Sequence, residues 1–327
     1  MSGRDHGRDH GGDLDRARAL FGGADWLDLS TGINPVPYPL PALPSEAWTR
    51  LPHAADLAAL EDTARAAYQT DAAITPLAGA QAAIQLVPRL MPPGRALVLG
   101  PTYNEHAAAL RAQGWTVEEV DSLDAFCAGA DLAVVVNPNN PTGAAYPSEK
   151  LREIRQHLGL LIVDESFADP LPNLSLAPHL SESDNMIVLR SFGKFYGLAG
   201  LRLGFALSGE GMATRLRALA GPWAVSGPAI AIGRAALADR AWQQATTARL
   251  QTDTARLDGL AAKAGWTLTG GTPLFRTYAT PNADDAQKKL AKAQIWSRIF
   301  PYSKTWIRLG LPGSETSWAR LAVALRG

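Results

Sequence analysis

The sequence predicts an α/β protein: a mainly parallel sheet covered on both faces by helices, followed by a smaller C-terminal α+β domain. Three observations lead there. Short apolar runs at 96–99, 132–136 and 160–163 alternate with stretches of helical period, the pattern of parallel strands buried on both faces. The chain has 327 residues, enough for one large domain or two of ordinary size. Asn-, Gly- and charge-bearing residues sit where the apolar runs end, and the carboxyl ends of strands are where an open α/β sheet gathers its ligand groups.

The elements follow in order. Residues 1–13 carry a near-repeat, Gly-Arg-Asp-His twice over, and are expected to form a mobile tail. Residues 14–21 have a helical pattern that stops at Gly22-Gly23. Residues 26–30 alternate like a short strand and run into the turn Thr31-Gly32-Ile33-Asn34-Pro35. The Pro-rich stretch 35–44 marks the end of an N-terminal arm, 1–44, that is expected to join the smaller domain. From 56 to 68, Leu57, Leu60, Ala64 and Ala67 share one helical face. Strands are then expected at 75–78, 96–99, 115–120, 132–136, 160–163 and 186–190, with helices at 80–90, 103–113 and 149–158 between them. A large domain over 45–225 holds all of these. Residues 213–219 and 229–259 read as helices, and 266–268, 274–278 and 306–309 as strands of a smaller domain over 226–327.

Composition narrows the function. Lys+Arg and Asp+Glu both number 31, a formal net charge of zero, whereas a general nucleic-acid binder carries a basic excess. No uncharged run reaches the ~20 apolar residues of a membrane-spanning helix, and the N-terminus is polar where a signal peptide is apolar. The single cysteine, Cys127, cannot form an intramolecular disulfide. The expectation is a cytoplasmic protein with no nucleic-acid or membrane partner.

The chemistry clusters at five places. Residues 191–204, Ser-Phe-Gly-Lys-Phe-Tyr-Gly-Leu-Ala-Gly-Leu-Arg-Leu-Gly, are too Gly-rich for an ordinary amphipathic helix, and they set Lys194 among small and aromatic neighbours. Taken alone, this is a surface lysine before a glycine-punctuated core strand. Ala78-Gly79-Ala80-Gln81 is a strand-to-helix turn whose amides and helix dipole can hold a phosphate. Pro101-Thr102-Tyr103-Asn104-Glu105 puts an aromatic at a helix start, a position more often filled for core packing. Asn137-Pro138-Asn139-Asn140-Pro141-Thr142-Gly143 is, at its plainest, a turn. Asp164 directly follows an apolar strand, where a carboxylate buried without partners is costly, and Glu165 beside it reads as structural.

Together, and in this order, the runs resemble the aspartate-aminotransferase superfamily over roughly residues 26–310. The resemblance implies pyridoxal 5'-phosphate (PLP) as cofactor and a large PLP domain built on a seven-stranded, mainly parallel sheet. It implies that Lys194 forms a Schiff base with PLP, since an amine is what makes an imine and a partly desolvated site keeps it from staying protonated. Ser191 and Arg202 would hold the cofactor phosphate with the Gly79-Ala80-Gln81 turn, the arginine through two parallel hydrogen bonds. Tyr103 would stack on the pyridine ring and Asn140 would bond the 3'-oxygen. Asp164 would pair with the ring nitrogen and keep it cationic, which makes a better electron sink. Lys194, Asp164 and Asn140 are therefore the candidate catalytic residues. No metal is implied, and a homodimer is the family expectation.

Two subfamilies are similar: histidinol-phosphate aminotransferases and the threonine-phosphate decarboxylases of cobalamin (vitamin B12) biosynthesis. Lys194-Phe195-Tyr196, His10-Gly11-Gly12 and the Ser30–Pro35 segment resemble the decarboxylases, and Phe167 stands where the aminotransferases usually carry a tyrosine. The implied reaction converts L-threonine O-3-phosphate to (R)-1-aminopropan-2-yl phosphate and CO2; the alternative is PLP-dependent transamination of histidinol phosphate. Arg308 matches the family arginine for the substrate carboxylate. Arg298 and His10 are assigned to the substrate phosphate, with Gly32 and Asn34 in the adjoining segment. One departure stands out: the family usually has a tyrosine near residue 51 that crosses the dimer to the cofactor phosphate. Here the run is Arg50-Leu51-Pro52-His53, and either the contact is absent or another residue, such as His53, substitutes.

Overall fold

The protein is represented by a computed structural model that describes residues 10–326. The expected tail lies outside the described residues except for residues 10–13. The residues form two compact units: a larger one of Pro37–Asn140 with Ala144–Thr247, and a smaller one of the residues up to Val36, Pro141–Gly143 and the residues from Ala248 onward. The expected boundaries, 44/45 and 225/226, differ from these. Helix Gly227–Ala238 groups with the larger unit because it packs there against helix Ala54–Tyr68, and Gly233 lies against the side chains of Leu60 and Leu203.

The larger unit is built on seven strands: β1 (Ala73–Leu77), β2 (Arg95–Leu99), β3 (Thr116–Val120), β4 (Leu132–Val136), β5 (Leu161–Asp164), β6 (Met186–Ser191) and β7 (Gly204–Ser208). They lie in the order β1-β7-β6-β5-β4-β2-β3. The pairs β2–β3, β2–β4, β4–β5 and β5–β6 are parallel, and β7 runs against both of its neighbours. This is the mainly parallel seven-stranded sheet that the sequence implies. Strand β7 is not among the expected strands, because it opens on Gly204 as a continuation of the Gly-rich lysine stretch. That glycine has a packing reason: a Cβ there would stand 2.3 Å from the amide nitrogen of Ala80. Strand and turn touch backbone to backbone.

Burial follows from position in the sheet. Every residue of β4 and β5 is buried, so both faces of these central strands are covered. Leu132, Val134, Ile162 and Leu189 point to one side and pack with Ile84, Leu110 and Leu216 from the helices. Strand β3, at the edge, is charged instead: Arg95 donates to Glu118 (2.8 Å) and Arg111 to Glu119 (2.9 Å). Charges on an exposed edge discourage pairing with a foreign strand.

Two expected elements change form. The helix expected at 80–90 is α-helical over Ala80–Leu86 and tightens to a 3-10 turn at Val87–Arg89, where Pro88 has no amide to donate. The lysine stretch, expected as a loop, closes one helical turn at Phe192–Phe195.

The smaller unit holds a four-stranded antiparallel sheet in the order Arg298–Phe300, Ser303–Leu309, Phe275–Ala279, Thr267–Thr272. The N-terminal segment joins it through Leu27–Asp28, which pairs in parallel with Ile295–Trp296. Helices Leu14–Phe21, Ala283–Lys292, Glu315–Arg326 and most of Arg240–Lys263 belong to it; Ala283–Lys292 buries Ala286, Leu290 and Ala291 and carries lysines in its last turn, where they complement the helix dipole. No described helix is long and apolar enough to cross a membrane.

Leu132 is fully buried at the centre of the larger core. Leu132→Ala is expected to lower unfolding free energy by about 2–5 kcal/mol. Urea denaturation checks this: the midpoint should fall with an unchanged slope.

Candidate active site

Strand register assembles the site. Leu77 of β1, Gly204 of β7 and Ser191 of β6 lie side by side across the sheet. Because β7 is reversed, this alignment brings together the end of β1, the start of β7 and the end of β6. Gly79, Ala80 and Gln81 therefore share an edge with Arg202 and Ser191. Val136, Asp164 and Leu189 form a second alignment, which adds the Asn137–Asn140 run and Asp164 to the same edge.

The turn after β1 is shaped for close approach. Gly79 has φ of 80°, and a Cβ on it would meet the Arg202 guanidinium at 2.7 Å. Arg202 is exposed, adopts a left-handed backbone and donates from Nη1 to the Ala199 carbonyl (3.2 Å). Glycine at 79 thus leaves room for an arginine flat against the turn. Ala80 and Gln81 open the following helix, where the first amides have no intrahelical acceptors. The Gln81 side chain donates to Glu105 (3.0 Å) and accepts from the Tyr103 hydroxyl (3.2 Å), tying the turn to the aromatic after β2. The Tyr103 ring is half-buried and meets the His106 ring edge-on, 6.3 Å between centroids.

Asp164 is buried at the end of β5. Its Oδ1 accepts from the Ser166 amide (2.9 Å) and hydroxyl (2.5 Å), and its Oδ2 is 2.8 Å from His106 Nε2. Burial alone would raise the Asp164 pKa, but the bonds from His106 and Ser166 outweigh it and hold the carboxyl below its ordinary range. These three contacts leave room on the carboxylate's roughly four acceptor positions for one more donor.

Lys194 lies half-buried in the short turn Phe192–Phe195, with Nζ 5.7 Å from the centre of the Phe167 ring. Phe167 is itself buried, in the turn that Asp164 begins. The asparagine run is pinned on both sides of its chain. Asn137 exchanges two bonds with the Tyr146 backbone (2.9 and 3.0 Å). Asn139 donates to Pro101 O (2.9 Å) and accepts from Thr102 Oγ1 (2.6 Å), holding the loop that carries Tyr103. Asn140, half-buried, closes the run. His106 and Asn139 are contributors that sequence reading misses. Signals for both exist: His106 is three residues after Tyr103, in the stretch whose sequence reads as a helix from 103 to 113, and Asn139 adjoins Asn140.

The smaller unit gathers the other candidates. Arg298 and Arg308 are register partners on adjacent antiparallel strands. Arg308 is buried, and its pKa is lowered to about 10, first by burial and then by the Arg298 charge. It donates from Nη2 to Ser30 O (2.5 Å). Gly12 N donates to Ser30 Oγ (2.7 Å), and a Cβ on Gly11 would meet Ser30 O at 2.3 Å, so the His10-Gly11-Gly12 segment lies against the same serine. His10 is exposed and Gly32 is buried in the adjoining turn. Asn34 is buried, and its Oδ1 accepts from Arg249 Nη2 (2.6 Å) and Val36 N (3.1 Å), which engages that oxygen in holding the turn.

The family described as aminotransferase class I and II matches residues 47–325. The chain belongs to this family. It is 46% identical to a threonine-phosphate decarboxylase of Sinorhizobium sp, over 97% of each chain. It is 44% identical to one of Pseudomonas aeruginosa, over 98% of this chain and 97% of the relative. In structure it resembles the histidinol-phosphate aminotransferase of Sinorhizobium meliloti in complex with pyridoxal-5'-phosphate, with a TM-score of 0.82 and 22% identity over 95% of this chain and 93% of that one.

The cofactor of this aminotransferase family is PLP. The larger unit suits it on its own geometry: an arginine against a turn where a Cβ would clash, a buried carboxylate held ionised with an acceptor position to spare, and a lysine over the Phe167 ring.

The lowered Asp164 pKa has a consequence for pH. A depressed carboxyl contributes stability that is present above its ordinary pKa of about 4 and is lost as pH falls through the lowered value. Asp164→Asn should therefore be less stable than the wild type at pH 7, with the gap narrowing below about pH 4. Urea midpoints across this range check it; a gap as wide at pH 3 as at pH 7 would contradict it.

Proposed function

We propose that this aminotransferase-family protein decarboxylates L-threonine O-3-phosphate to (R)-1-aminopropan-2-yl phosphate and CO2, a step of cobalamin biosynthesis. One observation carries the substrate class: Arg298 and Arg308 are register partners on neighbouring strands, and the Arg298 charge adds to burial in lowering the Arg308 pKa, so two cationic side chains gather at one place. Two guanidinium groups gathered in this way suit a ligand with two anionic groups, each met by charge-assisted hydrogen bonds. Threonine phosphate has a carboxylate and a phosphate. The near-full-length likeness to two chains named for this activity supports the same reading.

In this reading Arg308 binds the carboxylate, Arg298 and His10 bind the substrate phosphate, and Gly32 and Asn34 shape the turn beside them. Ser191, Arg202 and the Gly79-Ala80-Gln81 turn hold the cofactor phosphate. Tyr103 would lie against the ring, Asn140 would bond its 3'-oxygen and Asp164 its nitrogen. Every cofactor candidate belongs to the larger unit and every substrate candidate to the smaller, which favours a division of labour between them. Exposed Trp48, Leu51 and Trp223 on the larger unit favour a homodimer. A zero net charge and one cysteine fit a cytoplasmic enzyme.

PLP bound there supplies an electron sink for the pair left on the substrate Cα. The protein's part is positional. By anchoring both anions, Arg308 and Arg298 fix rotation about Cα and so choose which bond is cleaved. The Cα–carboxylate bond breaks, the carboxylate leaves as CO2, and Lys194 Nζ delivers a proton to Cα. Asp164 keeps a negative charge beside the ring nitrogen throughout.

Two variants test the roles. Lys194→Ala should lose the visible absorbance band of the lysine-held cofactor and all turnover; retained turnover would remove Lys194 from the chemistry. Arg308→Ala should weaken threonine-phosphate binding about 10–100-fold, the loss of one charge-assisted contact, with PLP affinity unchanged. Unaltered substrate affinity would move the carboxylate site elsewhere.

A further inference from the structure

Behind the candidate cofactor edge lies a buried charged cluster with no part in the chemistry above. The Arg190 guanidinium donates to Glu165 Oε2 (2.7 Å) and to Asp169 Oδ1 (2.5 Å). Its Cζ stands 4.4 Å from the centre of the Tyr68 ring. Glu165 also accepts from Ser175 Oγ (2.6 Å) and the Leu176 amide (2.6 Å). The side chains of Arg190, Glu165 and Asp169 are at most 6% exposed.

Its place in the fold gives it meaning. Glu165 follows Asp164, and Arg190 precedes Ser191 at the start of the lysine turn. Asp164 is aligned with Leu189, and the Glu165 amide continues the ladder to Leu189 O (2.9 Å). Side chains alternate along strands, so Asp164 and Ser191 share one face while Glu165 and Arg190 share the other. The ion pair therefore bridges β5 and β6 from the back of the sheet, directly behind the residues that face the cofactor.

A buried ion pair is poor evidence of stability, because apolar side chains of similar volume usually serve a core as well or better. What a planar guanidinium held between two carboxylates provides is direction: its fork fixes both partners in angle as well as distance. We propose that Arg190, Glu165 and Asp169 form a positioning network that locks the ends of β5 and β6 together and so sets Asp164 against the Ser191–Lys194 turn. Burial by itself disfavours the Arg190 cation, and Asp169 and Glu165 more than reverse that, raising its pKa. Burial also raises the Glu165 and Asp169 carboxyls above their ordinary values, with the Arg190 charge opposing the shift. The inference rests on the PLP reading above.

The test separates geometry from stability. In Arg190→Met/Glu165→Gln/Asp169→Asn the charges are removed together, and in Arg190→Lys the charge is kept without the fork. Thermal unfolding of the apoprotein, PLP affinity by equilibrium dialysis, and the pH titration of the visible cofactor band are measured for both. The network predicts that at least one variant unfolds near the wild-type temperature yet binds PLP at least about ten-fold more weakly, with a shifted pH titration, as misplacement of positioning groups would give. Wild-type affinity and titration in a folded variant, or failure of both variants to fold, would make the cluster structural and overturn the proposal. Failure of the wild-type protein to take up PLP would instead overturn the proposed function.

Discussion

Asp164 ends a strand that is buried along its whole length, and a carboxylate there stays ionised only if donors meet its oxygens. Ser166 supplies two of them from a local turn. His106 supplies the third from a helix that begins in another part of the chain, and that bond ties the β2–helix connection to the end of β5. Tyr103, on the same connection, reaches Gln81 and so the turn after β1. One buried charge thus links three strand ends, and the geometry of the cofactor edge depends on keeping it compensated.

The smaller unit presents the complementary problem. There the sheet sets Arg298 opposite Arg308, and burial and the Arg298 charge lower the Arg308 pKa while Tyr302 and Asp28 oppose the shift. The donation to Ser30 O orients the buried guanidinium and draws the Gly11-Gly12 segment to the same place through Ser30.

Much of this is legible in the sequence because local rules govern it. Runs such as Leu132–Val136 can be buried on both faces only inside a covered parallel sheet, and Gly79, Asn140, Asp164 and Lys194 stand where such strands end. The bounds of strand β7 are not legible: the sequence offers only a glycine-punctuated core strand after the lysine, and the contact of Gly204 with the Ala80 backbone appears only in the fold. Arg298–Phe300 is a strand only because Ser303–Leu309 folds back on it. His106 and Arg190 act through partners 58 and 25 residues away, and no periodicity carries such pairings. Glu165 reads from the sequence as structural, but its partner Arg190 and its place behind Asp164 appear only in three dimensions.

The most direct test is to incubate the PLP-loaded protein with L-threonine O-3-phosphate, with no keto acid present, and to follow CO2 together with aminopropanol phosphate. Catalytic release of CO2 with an equal amount of (R)-1-aminopropan-2-yl phosphate is the predicted result. No CO2, with glutamate formed from 2-oxoglutarate when histidinol phosphate is supplied instead, would contradict it and make the protein an aminotransferase in activity.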